Sequence, residues 1–106
     1  MIFQFQKNDV TFTIEDQEYF EAKLSTITKF LGNEAGDEDS VKAHVSLEKD
    51  KHHSGNRFHA KGHITAPHGG DFFTEVEAPT IRALADKLED TLDRQARKFH
   101  QKHLSK

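Results

Sequence analysis

The last thirteen residues of this chain contain five cations and no acidic side chain. The cations are Arg94, Arg97, Lys98, Lys102 and Lys106. Spacings of three and four residues place neighbouring cations on adjoining turns of a helix, where they can follow a phosphate backbone. The segment therefore predicts electrostatic binding of a polyanion such as a nucleic acid. A simpler explanation stays open, because cations near the end of a helix also complement the helix dipole.

Acidic residues stand directly before this basic segment. Asp90 and Asp93 precede Arg94 and Arg97 by four residues each, a spacing that predicts local ion pairs on a helix. The formal net charge of -3 is distributed as -6 over residues 1–39, 0 over residues 40–86 and +3 over residues 87–106. A positive end on an acidic protein indicates an anionic partner that is approached in one orientation.

Eight histidines suggest a second kind of site, a metal centre. His59 and His63 project from the same side of one predicted strand, and His44 can lie opposite them on the next. Residues four apart in a strand are about 13 Å apart, too far to share one metal ion directly. The chain has no Cys, and no clear carboxylate accompanies the histidines. We expect no metal, but a metal-sensing or protein-interaction module on this histidine-rich face remains the alternative to nucleic-acid binding.

Catalytic signatures are missing from the sequence. It has no Gly-x-Ser-x-Gly motif and no Cys, and Gly69-Gly70 is not followed by the Lys-Ser/Thr of a phosphate-binding loop. We expect no enzyme, no cofactor and no small-molecule substrate. No apolar stretch approaches the roughly 20 residues of a membrane span, and residues 1–10 lack the pattern of a secretion signal. The sequence therefore predicts a soluble cytoplasmic protein with no membrane partner.

Six elements position these residues. Alternating apolar side chains predict strands over residues 2–6, 41–47, 58–64 and 72–76, of which the middle two form a hairpin. Apolar steps of three and four predict a helix of about five turns from an N-cap at Thr13 to a stop at Gly32. A second, longer helix places Pro79 in its first turn and carries its apolar stripe to Phe99.

This order predicts an α+β fold, a two-layer sandwich of the type β-α-β-β-β-α. A four-stranded sheet would pack both helices on one face, with phenylalanine as the main source of buried area, and would leave its other face polar. The length fits a single domain over residues 1–106, with a frayed tail over 102–106.

Several stretches resemble the ribosome hibernation factors, the short hibernation promoting factor and ribosome-associated inhibitor group, also called sigma-54 modulation or S30EA-like proteins. Val10-Thr11-Phe12-Thr13, with the helix residues Tyr19-Phe20 and Ala22-Lys23-Leu24, resembles the family's first helix and its cap. Val45-Ser46-Leu47-Glu48-Lys49 resembles its second strand, and Ala85-Asp86-Lys87-Leu88 its second helix. Where the family has Asp-x-Tyr-Ala-Ala-Ile-Asp, this chain has residues 76–82 without the tyrosine, and Asp90 stands where a basic residue is common.

The resemblance implies a fold similar to the double-stranded RNA-binding domain. It also implies a ribosome-binding domain, a monomer when free, that binds the small ribosomal subunit near the path of messenger and transfer RNA and inhibits translation in stress or stationary phase. The residues expected to contact ribosomal RNA are Lys23, Arg82, Lys87, Arg94, Arg97, Lys98 and Lys102. Secondary contacts on the open sheet face would come from Lys42, His59, Lys61 and His63.

Overall fold

The computed structural model describes residues 1–30, 41–49, 57–66 and 69–104, without the side chains of residues 29, 30, 103 and 104. In chain order the elements are β1 (Ile2–Asn8), α1 (Ile14–Ser25), a short 3-10 helix (Thr26–Phe30), β2 (Lys42–Lys49), β3 (Phe58–Ala66), β4 (Gly70–Ala78) and α2 (Ile81–Leu104). The sheet order is β1-β2-β3-β4, with β1 parallel to β2 and the other two pairs antiparallel. The predicted β-α-β-β-β-α order and α+β class are confirmed.

Helix α1 begins at the predicted cap but ends earlier than expected. The Asp16 backbone N–H donates to the Thr13 hydroxyl at 3.1 Å, and the Thr13 N–H donates back to the Asp16 carboxylate at 3.1 Å, which is a capping box. After Ser25 the chain tightens into the 3-10 helix. The hydroxyls of Thr26 and Thr28 there bond to carbonyls three residues earlier, at 2.8 Å each, competing with the α-helical pattern. The predicted stop at Gly32 lies outside the described residues.

The core lies between one face of the sheet and the two helices. Its buried members from the sheet alternate along β2 and β3, as predicted, and include Ala43, Val45, Leu47, Ala60 and Ile64. Gly62 continues this buried face, and a Cβ at that position would lie 2.9 Å from Leu88 Cδ2 and 3.3 Å from Leu92 Cδ1. The glycine therefore lets α2 pack directly against the backbone of β3.

Phenylalanine has a different place from the one expected. Among the described side chains only Phe20 and Phe72 are buried, and the centre of the core is mainly aliphatic. Phe5 and Phe12 are partly buried beside β1, with ring centroids 5.3 Å apart, and Phe12 meets Phe20 at 5.5 Å. These rings thus lie at the margin of the core beside the edge strand β1. They stay partly exposed because neighbouring elements cover only one side of a large side chain at an edge.

Helix α2 begins after Pro79, so the prediction that Pro79 lies in its first turn is wrong. Thr80 takes the cap position, where its hydroxyl accepts from the Ala83 N–H at 3.2 Å. The helix continues to Leu104, while residues 105 and 106 lie outside the described part, so the frayed tail over 102–106 stays a prediction. None of the helices described here is long and apolar enough to cross a membrane.

Candidate nucleic-acid interface

Helix α2 carries its charges on two different flanks. Lys87, Arg94 and Lys98 are seven and four residues apart, so at 3.6 residues per turn they fall within about 40° around the helix axis. We call these three residues the basic row, which extends for about 16 Å at 1.5 Å per residue. The opposite flank is acidic and consists of Asp86, Glu89 and Asp93. The two flanks face different parts of the fold.

The basic row follows the outer edge of β4. The Lys87 Nζ donates to the Glu77 carbonyl of β4 at 2.6 Å. Gln95, next to the row, bonds twice to the backbone of Phe73: its Nε2 donates to the Phe73 carbonyl at 2.9 Å, and its Oε1 accepts from the Phe73 N–H at 3.1 Å. Because β4 is the last strand of the sheet, these side chains occupy backbone groups of its free edge.

The end of α2 keeps accessible positive charge despite its ion pairs. Arg94 Nη2 lies 2.7 Å from Asp90 Oδ2, and Arg97 Nε lies 2.8 Å from Asp93 Oδ2, which confirms the pairs predicted from sequence. The Arg94 side chain is nevertheless 72% exposed, and surface pairs of this kind are worth at most about 1 kcal/mol. Phosphates can therefore compete for these guanidinium groups.

Two lysines of the same segment are less constrained. Lys98 and Lys102 are exposed, and neither comes within 4.0 Å of an acidic oxygen in the described ranges, as the ion pairs found there involve other cations. From Arg94 onward the helix carries no acidic residue. The positive field is therefore strongest over its last three turns.

Lys23 and Arg82 lie apart from the basic row, at the contact between the helices. Both approach the Tyr19 ring, with Lys23 Nζ at 5.6 Å and Arg82 Cζ at 5.4 Å from its centroid. Lys23 Nζ is 3.4 Å from Asp86 Oδ1 on α2, and Arg82 Nε is 3.4 Å from Asp16 Oδ1 on α1. These two cations therefore join α1 to α2.

The same contacts shift three pKa values. The Tyr19 hydroxyl donates to Asp86 at 2.7 Å, and this hydrogen bond raises the pKa of Tyr19. The contact with Asp86 also raises the pKa of Lys23. Burial acts to raise the pKa of Asp16, but hydrogen bonds from Thr13 and the neighbouring guanidinium outweigh it and leave the pKa below its usual value. Each shift therefore stabilises the form that the group has near neutral pH, which is neutral for Tyr19, protonated for Lys23 and ionised for Asp16.

The open face of the sheet holds the secondary residues. Strand register places Gln4, His44, His63 and Phe73 side by side across the four strands. The Phe73 ring is 50% exposed and meets the His63 ring at 6.1 Å with an interplanar angle of 79°. Lys42 and Lys61 lie on the same face, two residues from His44 and His63. Lysines thus flank the two central imidazoles along the strands.

Carboxylates accompany the histidines of this face, so the expectation that no clear carboxylate does so is wrong. His59 Nδ1 lies 3.1 Å from Glu48 Oε1, its Nε2 lies 3.2 Å from Glu75 Oε2, and His63 contacts Asp71. The two His59 nitrogens point to carboxylates on different strands, so they do not converge on one point. Within the described residues no group of three or more His, Asp or Glu side chains is placed to hold a metal ion.

Three residues of this region were not found by sequence reasoning. Tyr19 was named only as a residue of the first helix, and Gln95 carries no charge to mark it. Phe73 had a signal, because the pair Phe72-Phe73 in a strand must place one ring on each face. The missing information for all three was which elements become neighbours.

Comparisons with known proteins identify one family and one shared fold. The family model described as "Sigma 54 modulation protein / S30EA ribosomal protein" matches residues 3–104. Curated protein sequences give no match. Among solved structures, the crystal structure of the N-terminal domain of Protein Y from Thermus thermophilus aligns with a TM-score of 0.74 and 22% sequence identity, over 92% of this chain and 97% of that one. At this identity the structural likeness shows the shared fold.

Proposed function

We propose a function on one premise: this chain belongs to the sigma 54 modulation protein / S30EA ribosomal protein family. This is a family of ribosome-associated hibernation and translation-inhibitor proteins that are not enzymes. In our proposal the chain binds the small ribosomal subunit near the path of messenger and transfer RNA and inhibits translation in stress or stationary phase. It acts in the cytoplasm, is a monomer when free, and needs no cofactor.

The observation that carries the proposal is the basic row and the acid-free helix end that follows it. Lys87, Arg94 and Lys98 form a line of accessible cations about 16 Å long, and Arg97 and Lys102 widen it. A line of cations on a rigid helix suits binding to phosphates by position and shape rather than by base sequence. The acidic flank attracts RNA less than the basic row does, and so favours an approach along the row.

Lys23 and Arg82 have a double role in this proposal. They hold the two helices together, yet their side chains remain 37% and 58% exposed. A strand that extends across α1 can therefore contact them without unfolding the helix pair. We expect the basic row to supply most of the affinity, and these two cations to supply less.

Co-sedimentation with ribosomes over a salt series tests the proposal. If about four phosphates are neutralised, the slope of log affinity against log salt should be roughly -3 to -4. The double variant Arg94→Gln, Lys98→Gln should reduce the slope by roughly 1.5. The matched control, Lys7→Gln with Lys49→Gln, removes the same charge from β1 and β2 and should leave the slope unchanged. Absence of association at low salt would refute ribosome binding.

Cell-free translation gives an independent readout. The double reversal Arg94→Glu, Lys98→Glu should abolish inhibition while the circular dichroism spectrum stays that of the folded protein. The reversal of Lys7 and Lys49 to Glu should leave inhibition intact. If both double reversals lose inhibition equally, the net charge of the protein alone determines inhibition. If both retain full inhibition, the basic row has no part in the mechanism.

A further inference from the structure

We infer that Phe73, supported by His63, is a base-stacking site for an unpaired segment of ribosomal RNA whose phosphates lie on the basic row. This inference rests on the proposed function and adds the chemical class of the ligand. It assigns to the protein a contact with exposed bases in addition to the phosphate contacts of α2.

The first observation is the exposure of the Phe73 ring. Among the described residues the exposed large hydrophobic side chains are Ile2, Ile14 and Phe73, so Phe73 is the one aromatic among them. The His63 ring supports it edge to face at 6.1 Å. Aromatic side chains on an open four-stranded sheet are a common way to stack unpaired RNA bases. Phe73 offers such a surface already held in position.

The second observation joins this ring to the basic row. Gln95 of α2 bonds to both backbone groups of Phe73, at 2.9 and 3.1 Å. Arg94 is the residue before Gln95, and Lys98 is one turn further along the helix. The cations and the ring therefore lie on either side of the same short stretch of β4 edge. An RNA strand whose phosphates follow the row can turn a base over this edge onto the ring.

The carboxylates near Phe73 do not close the face to RNA. Asp71 and Glu75 flank the ring along β4, and each contacts a histidine, His63 and His59 respectively. Their free oxygens can accept hydrogen bonds from the exocyclic amines of bases, as carboxylates do with cytosine. Lys61, on the same face, makes no ion pair within the described ranges of the chain and remains available for a phosphate. These charges therefore suit an RNA strand that places one base between Asp71 and Glu75 and keeps its phosphates outside this pair.

These contacts require bases that are not paired. In a duplex the base faces are stacked on one another, so a ring on the protein surface cannot reach them. Stacking on an aromatic side chain depends little on sequence, because every base has a π face. The inferred ligand is therefore single-stranded RNA of broad sequence.

A unique tryptophan reports directly on the site. The chain contains no Trp, so Phe73→Trp introduces a single indole whose emission a stacked base should quench. The control is Ile14→Trp, at the 75% exposed position that begins α1. Each is titrated with small ribosomal subunits free of messenger, with a ten-nucleotide oligocytidine and with a duplex of equal length. We expect quenching at position 73 by the subunits and the single strand only, and none at position 14.

Affinity measurements on a second variant complete the test. Phe73→Leu keeps an apolar side chain but lacks the π face, and should weaken binding to small subunits by about 5- to 150-fold, the effect of one stacked base. The salt slope should stay that of the unsubstituted protein, because stacking releases no counterions. A melting temperature close to that of the original protein shows that the fold is kept.

The outcomes separate this inference from the proposed function. If the subunits co-sediment with the protein but indole emission at 73 is unchanged, or Phe73→Leu binds as tightly as the original chain, the stacking site is refuted and phosphate binding stands. Quenching by subunits without quenching by the oligonucleotide indicates a ribosomal protein at Phe73 and also overturns the inference. If the original chain does not associate with subunits at all, the proposed function itself fails.

Discussion

Replacing Gly62 by alanine should destabilise the fold by about 1–2 kcal/mol, although alanine is ordinarily better than glycine within a strand. The new Cβ would lie 2.9 Å from Leu88 Cδ2 and 3.3 Å from Leu92 Cδ1. Both leucines are fully buried, so their side chains have no solvent to move into. Overpacking of a core costs about 1–3 kcal/mol, and the gain from replacing glycine offsets about 0.5–1 kcal/mol of it.

Urea unfolding followed by circular dichroism measures the change in the free energy of unfolding, and thermal unfolding measures the change in melting temperature. The melting temperature should fall by roughly 5–15 °C for a domain of this size. A second test uses Leu88→Ala, which by itself should cost about 2–5 kcal/mol. The double variant should cost less than the sum of the two single variants, because the added methyl group fills part of the vacated space.

A control at another glycine distinguishes packing from backbone effects. Gly69 has φ of +86°, and a Cβ there would meet nothing within 4 Å. Gly69→Ala should therefore destabilise through backbone strain, and its effect should add to that of Leu88→Ala. The close packing of α2 on β3 would be refuted if Gly62→Ala were as stable as the original chain, or if its loss in free energy of unfolding added fully to that of Leu88→Ala.

Two other expectations concern contacts that hold α2 in place. The raised pKa of Tyr19 means that the folded chain keeps a proton that the unfolded chain loses near pH 10.0, so this contribution to stability is complete below that pH and is lost as the pH rises through the folded pKa. Urea midpoints between pH 9 and 11 should show a smaller loss for Tyr19→Phe, and an identical loss would exclude the hydroxyl's bond to Asp86 as the cause. Gln95→Ala leaves the Phe73 N–H and carbonyl without their side-chain partner, and should cost about 1 kcal/mol and promote association through the β4 edge. Sedimentation velocity would detect that association, and a strictly monomeric variant would contradict the edge-covering role.

The fold was largely predictable because its patterns are local. Alternation along β2 and β3 requires only that one face be buried, and the Thr13 cap requires only residues three apart. The end of α1 was harder to predict, since hydroxyl bonds of Thr26 and Thr28 compete with helix continuation without changing the apolar spacing. The start of α2 was misplaced by two residues because Thr80, as well as Pro79, suits a helix start.

The candidate site was predictable where it depends on one helix alone. The spacing of Arg94 and Lys98 and the pairs with Asp90 and Asp93 follow from helical geometry. The separate position of Lys23, by contrast, results from a contact between α1 and α2 that no local pattern contains. The place of Phe73 beside the basic cations likewise depends on α2 crossing the sheet at β4.

The two flanks of α2 make contacts with different elements of the fold. On the acidic flank, Asp86 and Glu89 attract Lys23 of α1 and thereby fix the helix pair. On the basic flank, Lys87 and Gln95 occupy backbone groups of β4, so this edge is less available for pairing with another strand. The groups that remain accessible at this edge are the cations of the helix and the aromatic ring of Phe73 on the sheet. Since an RNA strand has phosphates on one side and bases on the other, an edge that offers cations on one face and an aromatic ring on the opposite face fits its two kinds of group at once.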